Sequence, residues 1–274
     1  SVGTISVPDS YKSDAQTISG NRTFTGDVGI GAAKDLGTGL HIKTADSNAS
    51  VSANADELVI EGSGNTGITI ASGNTSGGNI FFADDGGVQR GKVAYDHNAD
   101  SMTLRSGNND SLIINSTGAV TKPLQPAFLA HATNAHTANH NATTTIQMNS
   151  EIFDNNADYD TSTYTFTAPV TGKYVFNIKI GVDLGSSENT RISQLGGQIV
   201  TSNRAVYVDA SGQVYTDTND KGWTKGGVTV DMDANDTCLA KLYARRQSGT
   251  SAFDIAVDGD SSGIGTFFSG HLVC

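Results

Sequence analysis

The chain has 274 residues, long enough for one large or two ordinary domains, and its 17 lysines and arginines against 28 aspartates and glutamates give a net charge of −11. Nucleic-acid affinity rests mainly on cations neutralising phosphate, and the acidic excess is spread along the whole chain, so no nucleic-acid partner is expected. No apolar run approaches the ~20 residues of a membrane-spanning helix, so no membrane insertion is expected either.

Composition divides the chain. Residues 1–125 hold 18 of the 32 glycines but 5 of the 19 aromatics, whereas residues 126–274 hold 14 of each. Only the second part has enough large apolar surface to build a core of its own. The first residue is Ser1 rather than methionine, which points to a trimmed or partial chain, and no charged-then-apolar signal segment opens it.

In chain order, short alternating runs follow one another through the first part: ELVIEG from Glu57, GITIAS from Gly67, NIFFAD from Asn79, KVAYD from Lys92, SMTLRS from Ser101 and SLIINS from Ser111. Each predicts a strand, and the GSGN, SGNTSGG, DDGG, DHNAD and SGNND segments between them predict tight turns, so a meander is expected. Such a ribbon is marginal alone. Three copies wound together would let Ile60, Ile68, Ile70, Ile80, Phe82, Val93, Met102, Leu104, Ile113 and Ile114 face a shared axis; a monomeric solenoid is the alternative.

After TKPLQP, with its Pro123 and Pro126, aromatic alternation takes over. Thr163–Pro169 predicts a strand with Tyr164 and Phe166 on one face. Gly172–Val182 predicts a longer one with Tyr174, Phe176, Ile178 and Ile180 on one face. Further strands are expected near 191–201, 204–209, 223–232, 237–246 and 264–273. Many alternating strands and no helical period make this part a β-sandwich.

Two segments of the first part resemble bacteriophage tail-fibre and appendage proteins: DVGIG from Asp27 followed by GLHIKTAD from Gly39, and GNIFFADDGGVQRGKVAYDHNADSMTLRSG from Gly78. That resemblance implies residues 1–125 are a trimeric, glycine-rich β-stem and attachment region held by tail or capsid proteins of a virion assembled in the host cytoplasm. Residues 126–274 resemble the C1q-like globular heads of the complement and tumour-necrosis-factor superfamily. The match runs through Phe128, Ala130, Phe153, Tyr159-Asp160, Phe166-Thr167-Ala168-Pro169, Gly172, Tyr174, Phe176, Asp236-Thr237-Cys238 and Thr266 to Leu272. Cys238 departs from the usual aliphatic residue, and 191–222 matches weakly, which leaves the middle strands open. This second resemblance implies an all-β jelly-roll head that forms a homotrimer and binds a cell-surface glycan or protein without catalysis.

Counting alternating strands from the stem puts the loops 183–190, 210–222 and 247–262 at the distal tip. The candidate ligand-binding residues there are Asp183, Glu188, Tyr215, Asp217, Asp220, Trp223 and Asp254, with Trp223 either a stacking platform or a strand and interface residue. DGDSSG, carrying Asp258 and Asp260, offers hard oxygen ligands for calcium, the one cofactor considered; solvated turn aspartates are the other reading. His131, His136 and His140 match no metal spacing and read as a polar loop. Cys238 and Cys274 are too few for a disulfide framework; a single bridge and two free thiols both stay open.

No nucleophile-elbow or phosphate-loop pattern occurs, and no paired carboxylates stand in an aromatic groove as a glycan-cleaving enzyme would need, so no catalysis is expected. The function expected is therefore a fibre or receptor-binding appendage. A structural capsid or collar decoration and a cellular adhesin are the alternatives.

Overall fold

The computed structural model describes residues 28–30, 37, 39–183, 192–211, 221–246 and 255–273, and every helix-or-strand element among them is a strand. The chain divides into two compact units, Ser1–Ala71 and Ser72–Cys274.

In the first unit β1 (Val28–Ile30), β2 (Leu40–Lys43) and β3 (Leu58–Glu61) form a 3-stranded sheet in which both pairings are parallel. The meander expected here is thus replaced by a crossover through 44–57, since parallel strands cannot be joined by a tight turn. Glu61 is buried at the end of β3 and accepts hydrogen bonds from the Ser47 amide (2.7 Å) and hydroxyl (2.9 Å). These bonds, with Lys43 Nζ at 3.4 Å, hold its carboxyl below the ordinary range. GITIAS forms no strand, and Ile68 and Ile70 are exposed.

The second unit opens with a meander: β4 (Gly77–Asp84), β5 (Gly87–Asp96), β6 (Ser101–Ser106), β7 (Asn109–Ile114) and β8 (Val120–Thr121) form a 5-stranded sheet in chain order. Its turns close as the acidic and amide residues predict. Asp84 accepts from the Gly86 amide at 2.9 Å, Asp96 from the Asn98 amide at 2.8 Å, and Asn115 from the Thr117 and Ala119 amides at 3.0 Å. Ile113 pairs with Thr103 and Thr121, on the face opposite Ile114, so the two do not share one interior as expected.

Then come β9 (Ala127–His131), β10 (His136–Ala138), β11 (Ala142–Thr145), β12 (Ser150–Asp154), β13 (Tyr159–Asp160), β14 (Thr165–Thr167), β15 (Gly172–Asp183), β16 (Ile192–Thr201), β17 (Ala205–Ser211), β18 (Lys221–Met232), β19 (Thr237–Arg246), β20 (Ile255–Val257) and β21 (Phe267–Leu272). One sheet carries β12, β9, β21, β15 and β18 side by side, with β20 continuing beyond β21 along β15 and pairing β10. The other runs β13-β14-β19-β16-β17, with β11 also on β19. This is the β-sandwich expected from the alternation, with the jelly-roll form that the C1q-like resemblance implied, and it includes the middle strands β16 and β17.

Between the sheets Phe128 stacks on Tyr159 and Phe166 at 4.9 and 5.0 Å and meets Phe268 edge-on at 5.0 Å. Tyr174, Phe176, Ile178 and Ile180 of β15 all face this core, as their period of two requires. Each such buried side chain contributes about 1.5–3 kcal/mol. Tyr164 is an exception to expectation: its φ of 59° puts it in a turn before β14, and only Phe166 of that pair is fully buried. Asp236 immediately precedes β19 and accepts from the Ser202 hydroxyl (2.7 Å), the Asn203 amide group (2.6 Å) and the Asp233 amide (2.8 Å), tying two loops together.

Candidate functional site

The register fixes the two ends of the sandwich. The Leu272 amide donates to the Pro126 carbonyl at 3.0 Å, Tyr174 pairs with Leu272, and Gly172 pairs with Met232, so β15 leaves and β18 arrives at the end where the chain enters. Asp183 and Lys221, paired at the other ends of these strands, therefore lie opposite Pro126. The buried Thr224 hydroxyl links the second sheet at this level, accepting from the Gly197 amide (3.0 Å) and donating to Asp209 Oδ2 (3.1 Å). Beyond that level Leu195 pairs with Ser211 and Ile192 with Arg246. The strand ends flanking 184–191, 212–220 and 247–254 consequently gather at the end away from Pro126.

Of the candidate residues, Asp183, Trp223, Asp258 and Asp260 stand here. Glu188, Tyr215, Asp217, Asp220 and Asp254, like Cys274, lie outside the described residues. Gly181 is the organising position. Its amide donates to the buried Thr266 hydroxyl (3.0 Å), its carbonyl accepts from the Asp258 amide (2.8 Å), and Trp223 is its cross-strand partner. A Cβ at Gly181 would stand 3.2 Å from Asp258 Cβ and 3.4 Å from both Thr266 Oγ1 and Trp223 Cδ1, so the missing side chain is what lets the three converge.

Lys221 Nζ lies 2.9 Å from Asp258 Oδ2. That bond, joined by the charges of Asp258, Asp183 and Asp260, raises the lysine above its ordinary value. Asp260 Oδ1 accepts from the Ser262 hydroxyl and amide, both at 2.7 Å, which lowers its carboxyl. Beside them the Trp223 indole is 41% exposed, with Lys179 Nζ 5.9 Å from the ring centroid, within cation–π range. The result is a flat apolar plate edged by carboxylates and two cations.

Asp258 and Asp260 thus each spend an oxygen on a neighbour of their own chain, and among the described residues no group of three or more His, Cys, Asp or Glu is placed to hold a metal. The histidine segment is only partly a loop. His131 ends β9 and is buried, and His136 opens β10, where its Nε2 accepts from the Gln147 amide at 3.2 Å and burial pushes its pKa down. Gly181, Thr224 and Lys221 were not singled out in the sequence, and Thr266 entered there only as part of the C1q-like match. The signal for Thr224 was a hydroxyl at an inward position of an alternating strand.

Two antiparallel sheets closed over an aromatic-centred core make this part of the chain a jelly-roll sandwich. The sequence model of the C1q domain matches residues 127–273, more than half of the chain, and the chain belongs to the C1q domain family. C1q domains are typically non-enzymatic binding modules. Among solved structures, the globular domain of zebrafish complement 1qA is similar at 17% identity and a TM-score of 0.36, over 55% of this chain and 98% of that one. Murine APRIL is similar at 8% identity and a TM-score of 0.37, over 54% and 99%. The Eiger tumour necrosis factor of S. frugiperda is similar at 12% identity and a TM-score of 0.37, over 55% and 94%. No curated protein matches the chain.

Proposed function

We propose that the protein is a homotrimeric fibre or receptor-binding appendage of a bacteriophage virion, whose head attaches to a glycan or protein on the host surface. The observation that carries this reading is the half-exposed Trp223, set between Lys179 and the Lys221–Asp258 pair at the loop-bearing end of the sandwich. Flat aromatic area with polar groups around its rim suits a sugar face or an amphipathic protein surface. Three heads on one fibre, and several fibres on a particle, turn weak single contacts into durable attachment by raising effective concentration.

The role in a virion is supported by the stem segments DVGIG, GLHIKTAD and the run from Gly78, which resemble tail-fibre and appendage proteins. In this reading residues 1–125 join tail or capsid proteins during assembly in the host cytoplasm, and the head works at the particle surface. A capsid or collar decoration is the second reading; it is favoured by the bare apolar face of the β4–β8 sheet, which calls for cover whether or not the head binds anything. The test is to add purified, fluorescently labelled protein to host cells. Labelling that competes with infection and is lost in Trp223→Ala supports attachment. Absence of labelling, together with particles that fall apart without the protein, establishes the decoration instead.

A further inference from the structure

We infer that the apolar face of the β4–β8 sheet is an interface covered by the same face of two further copies of this chain, three sheets closing around one axis. The register assembles the face. Ile80 stands opposite Val93, Val93 opposite Leu104, and Leu104 opposite Leu112; one row along, Tyr95, Met102, Ile114 and Val120 succeed one another across four strands. Phe82, two residues beyond Ile80, extends the first row. In the single chain Phe82 is 60% exposed, Val120 55%, Ile80 48%, Leu104 40% and Met102 39%. Together they present apolar surface on the order of 600 Å², the upper end of what a monomer leaves bare. It also approaches the ~800 Å² that each partner contributes to a stable interface.

Charge points to a like face as the occupant. Lys92, Arg105 and Asp110 lie on the opposite face, where Arg105 Nε is 2.8 Å and Lys92 Nζ 3.4 Å from Asp110 Oδ1. At the rim of the apolar face the Asp100 carboxylate accepts from the Tyr95 hydroxyl at 3.2 Å. Two copies of the apolar face can therefore meet without burying an unpaired charge. Width suits three: five strands at ~4.8 Å spacing make a face about 24 Å across, and three such faces in a triangle stand about 7 Å from the axis. That is the reach of phenylalanine, methionine and leucine side chains packed to interior density. The inference takes the number of copies from the proposed homotrimer, and the location of the contact from the stem sheet alone.

The test uses the full chain with Cys274→Ser, carrying one new cysteine at Leu104 or at Phe81. Phe81 is 46% exposed in the single chain but faces the charged side of the sheet. The mass by sedimentation and the rate of maleimide labelling are read on the native protein. The expected result is a trimer in which Leu104→Cys labels at least tenfold slower than Phe81→Cys and cross-links chain to chain on oxidation. Met102→Cys repeats the measurement if the first variant does not fold. Equal labelling rates in a trimer overturn this interface and leave the homotrimer standing. Equal rates in a monomer overturn both. Slow labelling in a monomer means the chain covers its own face, and a dimer excludes the threefold arrangement; either overturns the inference.

Discussion

Lys221 Nζ is held 2.9 Å from Asp258 Oδ2, although the two residues belong to different strand connections, and it also pairs across the sheet with Asp183. One cation thus balances an acidic strand end, and this decides how that end responds to pH and to added metal.

Replacing Lys221 by methionine removes this balance. The cost is no more than about 1 kcal/mol, because both side chains keep contact with water. The folded lysine lies above its ordinary value of 10.5, so its contribution is complete below pH 10.5 and fades as pH rises through the folded value. Urea melts of wild type and variant are expected to differ at pH 7 and to converge in strong alkali.

Millimolar calcium, or a chelator, is expected to leave the melting temperature unchanged, because Asp258 is engaged by Lys221 and Asp260 by Ser262. A rise of several degrees with calcium would show that these carboxylates release their partners for a cation.

The Tyr159 hydroxyl donates to the Met148 carbonyl at 3.1 Å inside the core. Tyr159→Phe leaves that carbonyl unpaired and is expected to cost about 1–2 kcal/mol. Burial also keeps the phenol protonated well above its ordinary value of 10.0, so the wild type loses stability as pH rises past 10. In the phenylalanine variant that alkaline slope should be shallower, as read from denaturant midpoints at pH 9 and 11.

Gly270 faces the rings of Phe176 and Phe128; a Cβ there would overlap the first and stand 2.9 Å from Cε1 of the second. Gly270→Ala is expected to destabilise by about 1–3 kcal/mol through overpacking. Gly64→Ala, with nothing within 4 Å, should leave the melting curve in place.

Burial raises the Cys238 thiol far above its ordinary value, which makes it a poor nucleophile. Native protein should leave Cys238 unlabelled by a thiol reagent at pH 8, and unfolding should release it. Rapid native labelling at this position would contradict the packing of β19 against β14 and β16.

Much of the head was legible because inward and outward positions alternate with a period of two, and Tyr174, Phe176, Ile178 and Ile180 announce a strand whatever surrounds it. The turns of the meander were legible for a similar reason: Asp84, Asp96 and Asn115 bond their own backbone within a few residues. Tyr164 and GITIAS misled, since alternation records the capacity to pair and not the presence of a partner strand. The parallel sheet of β1, β2 and β3 was invisible for a related reason: its partners are brought together by a crossover, and nothing local marks which strand lies beside which.

The candidate site divides in the same way. Its residue types, a tryptophan and clustered aspartates, stood in the sequence, and so did the choice of an aromatic-centred sandwich over a helical fold; that the tryptophan is exposed did not. That Lys221 neutralises Asp258, that Gly181 makes room for Trp223, and that Ile113 and Ile114 part to opposite faces were decided only when distant segments paired. Such contacts depend on register and on the meeting of strands far apart in the chain, which burial energy selects for the molecule as a whole.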